Sequence, residues 1–544
     1  MRKYSLFILL FFSLHFSAQI LSETQKLESL CRIWGFLKYY HPKVANGKLD
    51  WDEQLFQKIN ELDRINSKKE LNNLYATWIE SLGNVEPCIK CSKKTDKVYF
   101  LKNFDLSWID NEDLFNKNVA RKLHYIENNR HMGSSYYLGK GGRKIYFKNE
   151  NSYGSHFTSK KINLLELFRY WNYVEYFFPY KYETDQNWNN VLTEMIPKFL
   201  IVGDDTNYHL TLAELVAKTD DSHAYLFSKE ISSGQYGNKK IPVEYLYAEG
   251  KLIVTKIHSN KFREQCALQV GDVIYDINGK TIPQIVNSMG KYIPASNSWG
   301  KIEKVKRFFL SDNRDSISMK IERDGRNIAI TSKTYFATDI IREQNTASEK
   351  WKFIEKGIGY VNMGIIKKGD LDDMYKNLQS TKAIIFDLRN YPNQTIEPLS
   401  RLLLPEITTY YMFTFPETDY PGMFYSRKNV IGRRNKEYYK GEVIVLVNES
   451  TQSQAETTTM MLKQHPKAKV IGSNTSGANG DVITFKLADL DTRFTGLGAY
   501  YPDGRETQRI GIIPDIVIKP TLQGIRIGKD EALERALFYI KTNN

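Results

Sequence analysis

Cysteine is scarce in this chain, four in 544 residues, so no disulfide framework holds it together. Of Cys31, Cys88, Cys91 and Cys266, only Cys88-Ile-Lys-Cys91 has a suggestive spacing. A zinc site would need two further ligands, and none follows at zinc-finger spacing, so the pair reads first as a local disulfide, with a redox role or partial metal site behind it. Long apolar runs are equally few. Leu6 to Phe12, preceded by Arg2 and Lys3 and followed by Phe16-Ser-Ala-Gln19, reads as a signal peptide cut near Ala18, too short to span a bilayer. No later run is long enough either, so the chain is expected in the periplasm, the cell envelope or outside the cell, with no integral membrane segment after cleavage. Segregated charge is missing too. The 76 Lys and Arg are interleaved with 63 Asp and Glu, so a net +13 does not imply nucleic-acid binding.

A hydrophobic share of 41% over this length is ample for several cored domains. Residues 27 to 86 match residues 164 to 223 without a gap: Arg32, Trp34, Tyr39, Pro42, Trp51, Leu55 and Ala76 recur 137 positions later as Arg169, Trp171, Tyr176, Pro179, Trp188, Leu192 and Ala213. Two copies of one helical unit account for this, and their shared aromatics read as packing residues. Tyrosine is abundant at 35, and buried packing is the simpler explanation than glycan stacking. Among only nine histidines, His223 stands out, because its counterpart in the first copy is Glu86. The shared packing does not require it, which leaves a special role open beside that of an ordinary satisfied histidine.

From Ile241 to about Lys333 the pattern changes to short strands and turns, with Gly271-Asp-Val-Ile and Asp276-Ile-Asn-Gly279 resembling a PDZ domain, a module that binds peptide ends at a sheet edge. Past residue 350 strand and helix signals alternate, predicting an α/β layer whose reactive groups cluster at strand carboxyl ends. Val443-Ile-Val-Leu-Val447 reads as a strand buried on both faces, and Ser453 falls where the next helix begins. A serine there is either a helix cap or a nucleophile beside free N–H groups and a positive dipole end.

Several motifs then arrive in one order: Asp221-Ser-His223, the PDZ-like segment, Phe386-Asp-Leu-Arg389, Ser453-Gln-Ala-Glu456, Thr475-Ser-Gly-Ala-Asn-Gly480, and Tyr501-Pro-Asp-Gly-Arg-Glu506 leading to Gly511-Ile-Ile-Pro-Asp515. Together they resemble the S41 serine peptidases, the family of carboxy-terminal processing and tricorn-core proteases, over roughly residues 160 to 525. The processing branch carries a lysine in its Thr-x-Gly-Lys-Gly element; here Ala478 stands there, so the resemblance points to the tricorn-like branch. It implies Ser453 as nucleophile, His223 as base, and Ser222 and Glu506 as supports of the imidazole, with Glu456 and Asp503 as alternative carboxylates. Backbone N–H groups of Gln454 and Asn393 would form the oxyanion hole, although Asn390-Tyr-Pro-Asn393-Gln394 lacks the family's glycines there.

The resulting expectation is an α+β multidomain protein: signal peptide 1–18, helical region 19–159, second helical copy with the histidine 160–237, PDZ domain 238–335, a ClpP/crotonase-like α/β catalytic domain 336–525, and a C-terminal helix 526–544. Its function would be an exported serine endopeptidase acting on peptides or proteins without metal or organic cofactor. The rival readings are a catalytically silent peptide-binding scaffold of the envelope and, on tyrosine content and paired acids alone, a glycan-binding or glycan-cleaving protein. Residues 97 to 160 carry no legible function.

Overall fold

The computed structural model describes residues 21–93, 96–258, 260–340 and 349–542, so the expected leader lies outside the described residues. Three helices of the first unit, Glu23–Tyr40, Trp51–Leu62 and Lys68–Ser81, correspond to Lys160–Phe177, Trp188–Ile201 and Asp205–Ala217. Their starts, at 23 and 160, 51 and 188, and 68 and 205, each lie 137 positions apart. Matching polar residues set these starts: Ser22 and Ser159, Asp50 and Asn187, and Ser67 and Asp204 each accept a first-turn N–H. In each unit two tryptophans trade indole N–H bonds for the other's carbonyl, Trp34 with Trp51 and Trp171 with Trp188, at 3.0–3.1 Å. Arg32 reaches across to Asn189 and Arg169 to Asp52, positions that also correspond, so the units face each other about a pseudo-twofold axis. Tyr39, Tyr40, Tyr170, Tyr173, Tyr176 and Tyr180 are buried in their joint core, as packing predicts.

The segment from Val243 to Lys333 holds a six-stranded antiparallel sheet in the order Arg326–Lys333, Ser316–Arg323, Val273–Ile277, Lys251–Ile257, Val243–Ala248, with Lys280–Thr281 also pairing to Val273–Ile277 and helix Ile282–Gly290 beside it. Asn278 and Gly279, at φ 50° and 81°, make the positive-φ turn that the Asp-Ile-Asn-Gly element calls for.

Two six-stranded sheets account for most of the remaining strands among the described residues. One runs Trp351–Glu355, Ile358–Asn362, Ala383–Asp387, Glu442–Val447, Ala468–Gly472, Ile516–Val517, parallel except for its first pair. Val443, Val445 and Val447 pack toward helices Leu371–Leu378, Ile396–Leu403 and Gln454–Leu462, while Ile444 and Leu446 pack toward helix Glu531–Thr542. Burial on both faces is why this strand reads as an unbroken apolar run. The second sheet orders Val98–Phe100, Phe424–Ile431, Thr408–Pro416, Leu490–Tyr500 and Asp481–Leu487, with Tyr225–Leu226 also pairing to Leu490–Tyr500. That last pairing carries the His223 segment to the α/β unit. Cys88 and Cys91 form a disulfide; Cys31 is free and buried, Cys266 free and half-buried. Among the described residues no helix is long and apolar enough to cross a membrane.

Gly472 ends its strand at φ 139°, where an added Cβ would lie 1.9 Å from the Val447 carbonyl oxygen. Gly472→Ala is expected to cost roughly 2–4 kcal/mol, read as a lower urea midpoint at unchanged slope.

Candidate active site

Ser453 sits between strand Glu442–Val447 and helix Gln454–Leu462 with φ 57° and ψ −117°. An ordinary N-cap residue is extended; this conformation costs a non-glycine residue about 1–3 kcal/mol and persists only where the surroundings enforce it. The enforcing contacts are explicit. The Ser453 N–H donates to the Ala478 carbonyl at 2.9 Å and to Glu456 Oε2 at 3.0 Å. The Glu456 carboxylate, 1% exposed, also accepts from the Thr475 hydroxyl, the Gly477 N–H at 3.0 Å and the Ala478 N–H at 3.2 Å. One buried carboxylate thus fastens the elbow to the 475–478 loop. Burial pushes its carboxyl up to about 7, against the downward pull of these four donors.

The Gln454 N–H, first in its helix, has no acceptor among the described residues, and neither does the Asn393 N–H. The Asn393 side chain is held by the carbonyls of Gly364 at 2.9 Å and Ile366 at 3.2 Å. Gln394 makes the turn at φ 52°, a conformation that a glycine would adopt without strain.

His223 is buried and clamped from several sides. Its carbonyl accepts from Arg493 Nε at 2.8 Å, its N–H donates to Asp221 Oδ1 at 2.9 Å, and the next carbonyl, of Ala224, accepts from Lys304 Nζ at 2.9 Å. Its Nδ1 meets Thr495 Oγ1 at 2.8 Å, while Nε2 has no partner among the described residues. Burial holds the imidazole below its ordinary value of 6.5, opposed by Asp221 and assisted by Arg493 and Lys304. Desolvation brings the half-buried Lys304 down to about 7. Ser222 and Ser296 exchange backbone-to-hydroxyl bonds, both 2.8 Å, and the Ser222 hydroxyl donates to the Ser476 carbonyl at 3.2 Å. Gln452, beside Ser453, donates to the Ser222 carbonyl at 3.3 Å, so the histidine segment abuts the elbow. No hydrogen bond joins His223 to Ser453.

Two expected supports sit differently from the sequence reading. The Ser222 hydroxyl locks its own segment rather than touching the ring. Glu506 pairs with Lys102 at 2.6 Å and accepts from Tyr182 at 2.8 Å, with no bond to His223, because its turn folds back beside Tyr500. Its neighbour Glu183 is pushed up to about 8 by burial and then by Glu506. Asp503 is engaged by Arg505. The carboxylate near the ring is Asp221, in plain view within Asp-Ser-His; Thr495, 272 positions from His223, had no sequence signal. Among the described residues no group of three or more His, Cys, Asp or Glu is placed to hold a metal.

A strained serine between a parallel strand and a helix, the free N–H of Gln454 next to it and a buried histidine on the adjoining segment are the parts a serine-hydrolase type of site would need. Residues 357–518 match the model of Peptidase family S41, and the chain's similarities point to serine-type peptidases. It is 24% identical over 321 residues to a "Probable CtpA-like serine protease" of Staphylococcus epidermidis, covering 56% of this chain and 58% of that protein. A protein of the same description from Staphylococcus haemolyticus is 24% identical over 305 residues, covering 55% and 56%. The chain thus spans little more than half the length of these relatives. In fold it is similar to mature CPAF complexed with lactacystin, with a TM-score of 0.57 at 14% identity, over 71% of this chain and 99% of that one.

The raised Glu456 carboxyl sets a stability trend. A folded-state value above the unfolded one gives stabilisation that is complete below about 4.5 and is lost as pH rises through about 7. Between those limits the loss is on the order of 3 kcal/mol, expected as a falling Tm that Glu456→Gln flattens.

Proposed function

We propose that the chain is an exported serine endopeptidase in which Ser453 attacks the peptide carbonyl and His223 takes its proton. The observation that carries this reading is the strained backbone of Ser453, enforced by Glu456 and set beside the His223 segment. The reaction forms a bond from Ser453 Oγ to the carbonyl carbon while the proton moves to His223 Nε2. Collapse of the tetrahedral intermediate expels the amine, which takes that proton and leaves an acyl-enzyme; water then repeats the sequence and frees Ser453. The N–H groups of Gln454 and Asn393 receive the developing oxyanion. Ser222 supports the site by clamping its segment, and Glu506 acts at the rim through Tyr182. A neutral histidine is needed, so kcat/KM is expected to fall as pH drops through a value below 6.5.

The repeated helices are proposed as a duplicated scaffold and the sheet from Val243 to Lys333 as a PDZ-like recruiting module. Edge strand Val243–Ala248 pairs on one side only, and a cavity of about 430 Å³ lies between its Tyr247 and Val286 of helix Ile282–Gly290, with Lys291 and Lys301 at its wall. A peptide added there would have its carboxylate near two ammonium groups. A larger cleft of about 750 Å³ shares Tyr247 and Ile302 with that cavity and reaches Asn390 and Asn448 at the ends of the parallel strands.

Ser453→Ala is expected to abolish both labelling by a serine-directed phosphonate and cleavage of casein, with Tm within about 2 °C of the parent. Persisting casein cleavage in that variant refutes the assignment; a parent chain that neither labels nor cleaves, yet binds peptides, points to the scaffold.

A further inference from the structure

The ring of His223 has two nitrogens, and a base for Ser453 must present one of them bare. The hydroxyl of Thr495 decides which. Its single proton has Asp221 Oδ1 at 3.1 Å and His223 Nδ1 at 2.8 Å within reach, and once it is given to the charged acceptor the hydroxyl can only accept from the ring. Nδ1 must then carry the ring proton, and Nε2, which has no partner among the described residues, keeps its lone pair.

Asp221 is well placed to dictate the direction. It is fully buried, and its oxygens receive the His223 N–H at 2.9 Å, the Thr495 N–H at 2.7 Å, the Thr495 hydroxyl, and Gln508 Nε2 at 3.5 Å. A carboxylate so surrounded by donors does not turn the Thr495 proton back toward the ring. Strand Leu490–Tyr500 pairs Thr492 and Arg493 with Leu226 and Tyr225, which fixes Thr495 opposite His223. The other charged groups facing the ring are Arg493, Lys304 and Asp481, none of which bonds to a ring nitrogen.

We infer that Thr495 and Asp221 are the positioning residues of His223, a hydroxyl-relayed orienting pair that holds the ring as the Nδ1–H tautomer with Nε2 free for the Ser453 proton. The inference rests on the reading of His223 as base. It moves the orienting task from Glu506, which bonds to Lys102 and Tyr182, to a carboxylate two residues before the histidine in sequence.

The tautomer is measurable without turnover. In the full chain with 15N-labelled histidine, His223 being identified by the signals lost in His223→Gln, the expected spectrum above the ring's titration shows a protonated Nδ1 and a bare Nε2. Thr495→Val is expected to erase that preference and to lower kcat about 10- to 100-fold with KM within about twofold, and Thr495→Ser to restore both. Asp221→Asn, of nearly the same shape, is a second variant should Thr495→Val fail to fold. Removing its negative charge lowers the histidine's pKa, so the acid limb of kcat/KM is expected at lower pH. A parent ring protonated on Nε2 overturns the inference. So does a Thr495→Val chain with unchanged tautomer and kcat, or a Glu506→Gln chain that loses more activity than Thr495→Val. If the parent shows the expected tautomer but Ser453 takes no phosphonate, the peptidase reading fails while the orienting pair stands.

Discussion

The buried carboxylate of Glu456 is the interaction on which the site depends. Without it the Thr475 hydroxyl and the N–H groups of Gly477 and Ala478 would be interior donors lacking an acceptor, each costing about 1–3 kcal/mol, and the Ser453 N–H would keep only the Ala478 carbonyl. The same four donors make it tolerable to bury an acid there at all. Because they belong to two chain segments, the carboxylate fixes the elbow and the loop relative to one another and thereby keeps the serine in a conformation it would otherwise leave.

The histidine side is built on a different plan. No single group holds it; instead Ser296, Asp221, Arg493 and Lys304 each bond to the segment 222–224. Two of these, Ser296 and Lys304, come from within the antiparallel-sheet unit, between its helix Ile282–Gly290 and its strand Ser316–Arg323, and Arg493 comes from the long strand of the second sheet. The ring's position is a compromise among three parts of the molecule, while the serine's is set within one.

Much of this was legible in the sequence. The unbroken run Val443–Val447 gave away a strand with cores on both faces, the 137-residue repeat marked helices whose starts and caps recur at that spacing, and Asp-Ile-Asn-Gly announced its turn. Local features show because their cause is local: a cap, a period, a positive φ. The surroundings of the imidazole were legible only in part: Asp221 stood in view beside the histidine, Thr495 did not. Glu506 looked suitable by order along the chain, but its direction is set by antiparallel pairing with Tyr500, and Thr495 acquires its role only through a strand pairing between distant segments. A threonine in a β-strand is so ordinary that nothing local distinguishes it.

Strand Leu490–Tyr500 has a second allegiance. Phe494 and Tyr500 are embedded with Tyr170, Phe178 and Tyr180 in the aromatic interior of the helical half, whereas Thr495, on the opposite side of the same ribbon, meets the imidazole. The ribbon is therefore a rigid spacer whose height is dictated by how tightly the paired helices close around their aromatic rings. Loosening that grip anywhere along its length would tilt the hydroxyl away from its nitrogen, so the amino-terminal half is structurally a component of the histidine's mounting and not a detachable appendage.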